Sequence, residues 1–187
     1  MRIIGGNLKG KKILLPKDKN TRPLRDLVKE SIFNLLIHSK KFKVNFDNSK
    51  ILDLFSGSGS FGFECLSRGS KKVDFVESYS KALNVLSKNI SILNVKDKCR
   101  IINSDCFNYL ESNQIKSNEY NIIFIDPPYK ERKLNLIINK IKALKILKKD
   151  GLIVIHRHKK DDLVISKTIN ILDIRTYGIS KVVFGFI

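Results

Sequence analysis

From position 51 onward the chain alternates short apolar strands with amphipathic helices, and this alternation restricts the possible folds more than any other feature. Segments 51–55, 73–77, 100–103, 120–125 and 151–155 are brief and apolar along most of their length. Such strands are buried on both faces, which requires a parallel sheet sandwiched between helices. A helix after the second strand gathers Ala82, Leu83, Leu86, Ile90 and Leu93 on one side. Another across 131–147 gathers Leu134, Ile137, Ile138, Ile141 and Leu144. Two last strands, near 170–176 and 182–187, have no long helix between them and suit an antiparallel hairpin at one sheet edge. Open sheets of this kind bind ligands beyond the carboxyl ends of their strands, so chemistry is expected there.

The 187 residues fit a single domain, with 1–50 as a basic arm and helix and 51–187 as the core. Residues 2–15 read as a glycine-punctuated hairpin or extended arm. A helix is expected to start at Thr21-Arg22-Pro23, with Leu27, Ile32, Leu35 and Leu36 as its apolar stripe. The net charge of +18 is unevenly spread. Residues 1–50 carry 13 Lys/Arg against 4 Asp/Glu, residues 51–128 carry 9 of each, and residues 129–187 carry 14 against 5. A neutral middle between two basic ends points to a cofactor-binding centre flanked by polyanion-binding surface. Arg2, Lys9, Lys11, Lys12, Arg22 and Arg25 are the candidate RNA-binding residues.

No segment reads as a secretory signal or a membrane span, which leads to the expectation of a cytoplasmic protein with no membrane partner. Cys65, Cys99 and Cys106 lack the close pairing of a zinc site and are expected as reduced thiols. His156 and His158 fall on one face of a strand but have no third ligand nearby in sequence, so no metal is expected.

The first strand runs into Asp53-Leu54-Phe55-Ser56-Gly57-Ser58-Gly59-Ser60-Phe61-Gly62, which satisfies G-x-G-x-x-G. Glu77 ends the second strand about 20 residues later, where a carboxylate can accept bonds from both ribose hydroxyls. Together they indicate a nucleoside-containing cofactor, either NAD or S-adenosylmethionine. Asp53 and the Asp126-Pro127-Pro128-Tyr129 segment tip the balance: a dinucleotide needs its pyrophosphate held at a helix N-terminus, whereas a sulfonium and an ammonium favour a carboxylate nearby. Asp105 follows the third strand, where it can meet the adenine amino group or cap a helix, with the Cys106 backbone N–H beside it.

Asp126-Pro127-Pro128-Tyr129, directly after the fourth strand, is the most specific signal. An exocyclic base amine is a poor nucleophile because its lone pair is delocalised into the ring. The two prolines form a stiff turn without N–H donors. The Asp126 side chain and the Pro127 carbonyl can accept the amine hydrogens and aim the lone pair at a methyl carbon, while Tyr129 offers a stacking face. Asp126, Pro127, Pro128 and Tyr129 are thus the candidate catalytic residues. Asp53, Phe55, Gly57, Ser58, Gly59, Glu77, Asp105 and Cys106 are the candidate cofactor-binding residues.

This order of motifs resembles a class I methyltransferase of the amino-methylating type. Arg2-Ile3-Ile4-Gly5-Gly6 with Leu8-Lys9-Gly10-Lys11-Lys12, Thr21-Arg22-Pro23, Phe33-Asn34 and Arg175-Thr176-Tyr177-Gly178 narrow the resemblance to the RsmD family of 16S-type ribosomal RNA guanine-N2 methyltransferases. The resemblance implies a Rossmann-like α/β fold with a seven-stranded, mostly parallel sheet containing one antiparallel strand. It also implies S-adenosylmethionine as methyl donor, S-adenosylhomocysteine as product, and 16S-type ribosomal RNA in the small subunit or its precursor as partner of a monomer. Leu24-Arg25-Asp26 depart from the family's small hydroxyl pair, and His156-Arg157-His158-Lys159 are more basic than its usual pattern. The competing readings are a DNA or RNA adenine-N6 or cytosine-N4 methyltransferase, a small NAD-dependent oxidoreductase and a non-catalytic ribosome assembly factor.

Overall fold

The computed structural model describes residues 1–18, 24–42, 44–112, 114–161 and 168–187. The elements follow in the order α1 (Asp26–His38), β1 (Lys50–Leu54), α2 (Ser60–Ser67), β2 (Lys72–Glu77), α3 (Ser80–Leu93), β3 (Cys99–Asn103), α4 (Cys106–Glu111), β4 (Tyr120–Ile125), α5 (Leu134–Leu144), β5 (Leu147–His158), β6 (Asn170–Tyr177) and β7 (Ser180–Phe186). The strands form one sheet in the order β3-β2-β1-β4-β5-β7-β6. The first five pair in parallel, and β7 enters antiparallel between β5 and β6. The expected seven-stranded sheet with one reversed strand is the observed one.

Strand alternation divides the core in two. Ile51, Val73, Phe75, Ile122, Phe124, Leu152, Val154, Val182 and Phe184 point to one face, where α1, α2 and α3 cover them. Leu52, Leu54, Val76, Ile123, Ile125, Ile153, Ile155 and Val183 point to the other, under α4 and α5. The first face is rich in aromatic rings, with Phe61 of α2 stacked on Phe124 of β4 at 4.0 Å between centroids. That contact seats the helix following the glycine turn directly on the strand that delivers Asp126.

Three elements differ from the sequence reading. Arg25 keeps an extended backbone (ψ 143°), so α1 begins at Asp26 rather than around Pro23. The helix buries Val28, Lys29, Ile32, Phe33 and Leu36, and Leu27, on another face, stands 70% exposed and out of the expected stripe. The helix expected across 131–147 is shorter at both ends and stops at Lys145, which takes a left-handed conformation (φ 51°). The chain then enters β5 earlier than expected, through an irregularity in its pairing with β4. Thr21, Arg22 and Pro23 lie outside the described residues.

The arm forms a short hairpin in which Arg2 and Lys12 bridge antiparallel, and it buries Ile3 and Ile13 against the α1–α3 face. It is tied to α2 by Glu64, whose two oxygens accept the amides of Ile4 (2.9 Å) and Gly5 (2.8 Å). Glu64 also pairs with Arg68 and with the buried Lys29, and Lys29 donates to the Arg2 carbonyl at 2.7 Å. Burial pulls the Lys29 amine below its ordinary pKa, against the opposing pull of Glu64 and Asp26.

Candidate active site

The turn after β1 needs backbone freedom at three adjacent places. Phe55 (φ 63°), Gly57 (φ 56°) and Gly59 (φ 83°) all adopt positive φ, and at Phe55 this is a costly state for a bulky residue. The result is a tight turn whose Gly57 amide points at the end of β2. There Glu77 accepts it at 2.7 Å through Oε2, while Oε1 accepts the amides of Ser78 (2.9 Å) and Tyr79 (2.8 Å). Three backbone donors therefore fix the Glu77 carboxylate, and its remaining lone pairs are those a ribose would use.

Asp53 lies below the turn. Its Oδ2 accepts the Gly62 amide at 3.1 Å, and only 1% of the residue is exposed. Burial pushes its carboxyl well above the usual carboxylate range, and the neighbouring Asp126 and Glu77 push it further. Asp105 caps α4, its Oδ1 accepting the Phe107 amide at 2.8 Å, and still faces the cleft. The cap and the cleft-facing position thus coexist.

These residues surround a cleft of about 320 Å³ at the carboxyl ends of β1, β2 and β4. It brings together Asp53, Phe55, Gly57, Ser58, Glu77, Asp105, Asp126, Pro127 and Pro128. Gly59 and Cys106 do not line it. Gly59 packs against Phe63 and Leu86, and Cys106 is sunk in the core of the α4–α5 face. In a chain of charge +18, the described lining contains five carboxylates, Asp53, Glu77, Asp105, Asp126 and Glu131, and no Lys or Arg. A diphosphate would be repelled there. A ligand bearing a sulfonium and an ammonium would be attracted and would relieve the penalty on buried Asp53, so the donor set fits S-adenosylmethionine and not NAD.

The double-proline corner is clamped from β5. His156 Nδ1 is 2.8 Å from Asp126 Oδ1, and its Nε2 is 2.9 Å from Ser180 Oγ. Arg157, 1% exposed, donates to the carbonyls of Pro128 (3.0 Å), Glu131 (3.0 Å) and Tyr129 (3.4 Å) and pairs with Asp161. His158 meets the Tyr129 ring edge-on, at 4.9 Å between centroids. The Pro128 carbonyl is therefore already engaged, by Arg157 and by the Glu131 amide (2.8 Å). Tyr129 does not line the glycine-turn cleft. It lines a second cavity of about 460 Å³ with Met1, Leu15, Arg25, Asp26, His156, Ile179 and Ser180. Asp126 lines both.

Sequence reasoning missed His156, Arg157 and Ser180. The available signal was a histidine and an arginine ending an otherwise apolar strand at the catalytic edge of the sheet, where buried polar groups need partners. Of the candidate RNA-binding residues, Arg2, Lys9, Lys11, Lys12 and Arg25 are exposed, and Arg22 lies outside the described residues. The three cysteines are free thiols, and burial pushes Cys99 up to about 12 and raises Cys65 and Cys106 as well. Among the described residues no helix is long and apolar enough to cross a membrane.

A doubly wound sheet with one reversed strand, a glycine turn over a buried aspartate and an Asp-Pro-Pro-Tyr corner beside an acidic cleft define a class I methyltransferase. Residues 1–185 match the family described as Conserved hypothetical protein 95. The chain belongs to this family, the RsmD family. It is 37% identical to Ribosomal RNA small subunit methyltransferase D of Buchnera aphidicola subsp. Acyrthosiphon pisum over 165 residues, covering 88% of this chain and 82% of the relative. It is 33% identical to the protein of the same name from Haemophilus influenzae, covering 96% and 90%. Among solved structures, that of the Escherichia coli protein yhhF superposes with a TM-score of 0.82 at 26% identity, covering 99% of this chain and 96% of that one.

Proposed function

We propose that this protein transfers a methyl group from S-adenosylmethionine to the exocyclic N2 amine of a guanine in small-subunit, 16S-type ribosomal RNA. The observation that carries this reading is the position of Asp126, on the wall common to an acid-lined cleft and a second cavity. The cleft suits the cationic methyl donor. The second cavity suits a planar base entering past Tyr129 and Arg25. Asp53, Phe55, Gly57, Ser58, Glu77 and Asp105 would hold the donor, which supplies an electrophilic methyl group when bound.

Asp126 would accept an amine hydrogen and align the nitrogen for in-line displacement, so catalysis is mainly orientation. Guanine fits this lining because its amine neighbours a ring N–H. Both are donors, and Asp126 and Asp26 are acceptors on the same cavity. The relatives named for small-subunit ribosomal RNA support the choice of RNA.

The test is transfer of labelled methyl to undermodified small subunits, with the modified nucleotide mapped by mass spectrometry and duplex DNA as a parallel acceptor. Methyl-N2-guanine in the RNA, lost in Asp126→Ala and Tyr129→Ala while S-adenosylmethionine binding persists, is the expected result. Full activity in both variants, or preferential methylation of DNA, would overturn it.

A further inference from the structure

The Asp126 side chain is held by an imidazole. The Asp126 amide reaches the Leu54 carbonyl only at 3.5 Å, whereas Oδ1 lies 2.8 Å from His156 Nδ1. His156 is fixed in turn by Ser180 Oγ at 2.9 Å from Nε2. Both side chains of the acid–imidazole pair are largely buried, at 17% and 9% exposure. The chain Asp126–His156–Ser180 thus joins the ends of β4, β5 and β7 along the wall of the second cavity.

We propose that His156 is a positioning residue for Asp126. As the neutral Nδ1–H tautomer it donates to Oδ1, accepts the Ser180 hydroxyl at Nε2, and leaves Oδ2 turned to the substrate amine. This rests on the reading of Asp126 as the amine acceptor. A carboxylate attached by one rotatable bond needs such an anchor, because alignment of the amine lone pair is lost if the acceptor swings. Asp126 selects the tautomer: an ionised carboxylate only accepts, so the ring proton sits on Nδ1 and the Ser180 hydroxyl donates to Nε2.

A second proton on the ring changes both bonds. The Ser180 hydroxyl must turn from donor to acceptor, and Asp126 then faces an imidazolium. A charge-assisted bond draws the carboxylate's charge toward Oδ1 and weakens Oδ2 as an acceptor. The ionisable groups sharing this cavity are Asp126 after β4, Tyr129 in the following loop, Arg25 before α1, Asp26 at its start and the Met1 terminus of the arm. Ser180 faces His156 from β7.

The decisive comparison is His156→Asn against His156→Leu. The asparagine amide can stand where Nδ1–H stood but cannot ionise. Leucine fills similar space without a donor. His156→Leu is expected to lower kcat by about tenfold to a hundredfold with little change in KM for S-adenosylmethionine. His156→Asn should recover most of that loss.

A second measurement needs no turnover. Nitrogen-15 imidazole spectra of the protein alone should show Nδ1 protonated and Nε2 unprotonated in the neutral form, with the preference weakened in Asp126→Ala. An Nε2–H tautomer overturns the proposal. So do equal losses in the Asn and Leu variants. Turnover by Asp126→Ala would defeat the reading of Asp126 itself, a separate result because the tautomer is observed in the resting protein.

Discussion

The Asp53 carboxylate accepts the Gly62 amide at 3.1 Å beneath the glycine turn, with solvent excluded from both residues. The same anion that braces the turn is therefore a liability until a cation arrives. Burial, above all, holds its carboxyl well above the usual carboxylate range in the folded protein. A group of this kind gives its full stability below the unfolded pKa and loses it as pH rises through the folded one. Asp53→Asn should accordingly melt higher than the parent at neutral and alkaline pH, with the gap closing in acid. Affinity for S-adenosylmethionine should rise with pH in the parent, as Asp53 ionises, and should be weak and flatter in the variant. Thermal melts and calorimetry across the pH range check both, and a variant that melts lower at alkaline pH would refute the assignment.

Gly62 is required for a different reason. A Cβ at this position would stand 2.3 Å from Phe75 Cε1 and 2.8 Å from Val73 Cγ1, so α2 could not lie on β2 as it does. Gly62→Ala should cost about 1–3 kcal/mol by overpacking. Because α2 carries the turn with it, the variant should also bind S-adenosylmethionine more weakly. Denaturant melts and calorimetry measure the two effects.

Glu64→Gln should release the arm. The carboxylate joins the Ile4 and Gly5 amides to Lys29 and Arg68 at a site where its side chain has no exposure. An amide offers one oxygen and no charge, leaving Arg68 without this carboxylate and Lys29 with Asp26 at 3.8 Å as its remaining partner. Breaking a buried pair costs about 3–5 kcal/mol, a fall in Tm on the order of 10 °C for a domain of this size. Hydrogen exchange at the Ile4 and Gly5 amides should accelerate more than exchange in β4.

Most of the sheet could be read from the sequence because its strands are apolar on both sides and its glycine turn and double-proline corner are local signals. Asp53, Glu77 and Asp126 followed from their places at strand ends. The clamp could not be read, because His156 and Arg157 act on a loop about thirty positions away and only the pairing of β4 with β5 brings them together. Leu27 was misplaced because five residues of helix turn it about 140° away from Ile32, so the two cannot share the buried face. Glu64 gave no signal at all: its partners are backbone amides about 60 positions earlier.

Arg157 should matter more than its distance from the donor cleft suggests. Its guanidinium spans the carbonyls of Pro128, Tyr129 and Glu131, a geometry that a lysine ammonium cannot reproduce. Arg157→Lys should therefore lower kcat and also weaken S-adenosylmethionine binding, because Pro128 and Glu131 line the donor cleft while Tyr129 lines the second cavity. Arg157→Met removes the charge as well, breaks the buried pair with Asp161, and should destabilise by about 3–5 kcal/mol. Equal kinetics for parent and Lys variant would show that the prolines alone stiffen the corner.

The arm's cations should not contribute equally to RNA binding. Arg25 lines the second cavity, and Arg2 and Lys12 are bridged to each other near Met1 and Leu15, which line it too. The hairpin tip carrying Lys9 instead lies beside Ser67, the last residue of α2, roughly 12 Å from the start of that helix at 1.5 Å per residue. If phosphates approach the base cavity, Arg2→Ala, Lys12→Ala and Arg25→Ala should each reduce the slope of log affinity against log salt by about one. Lys9→Ala should reduce it less. Lys142→Ala, exposed on α5 across the sheet from the arm, should leave it unchanged. Filter binding to a small-subunit RNA fragment at several salt concentrations measures these slopes. Equal slopes for all five variants would mean that the RNA follows net charge alone and ignores the arm.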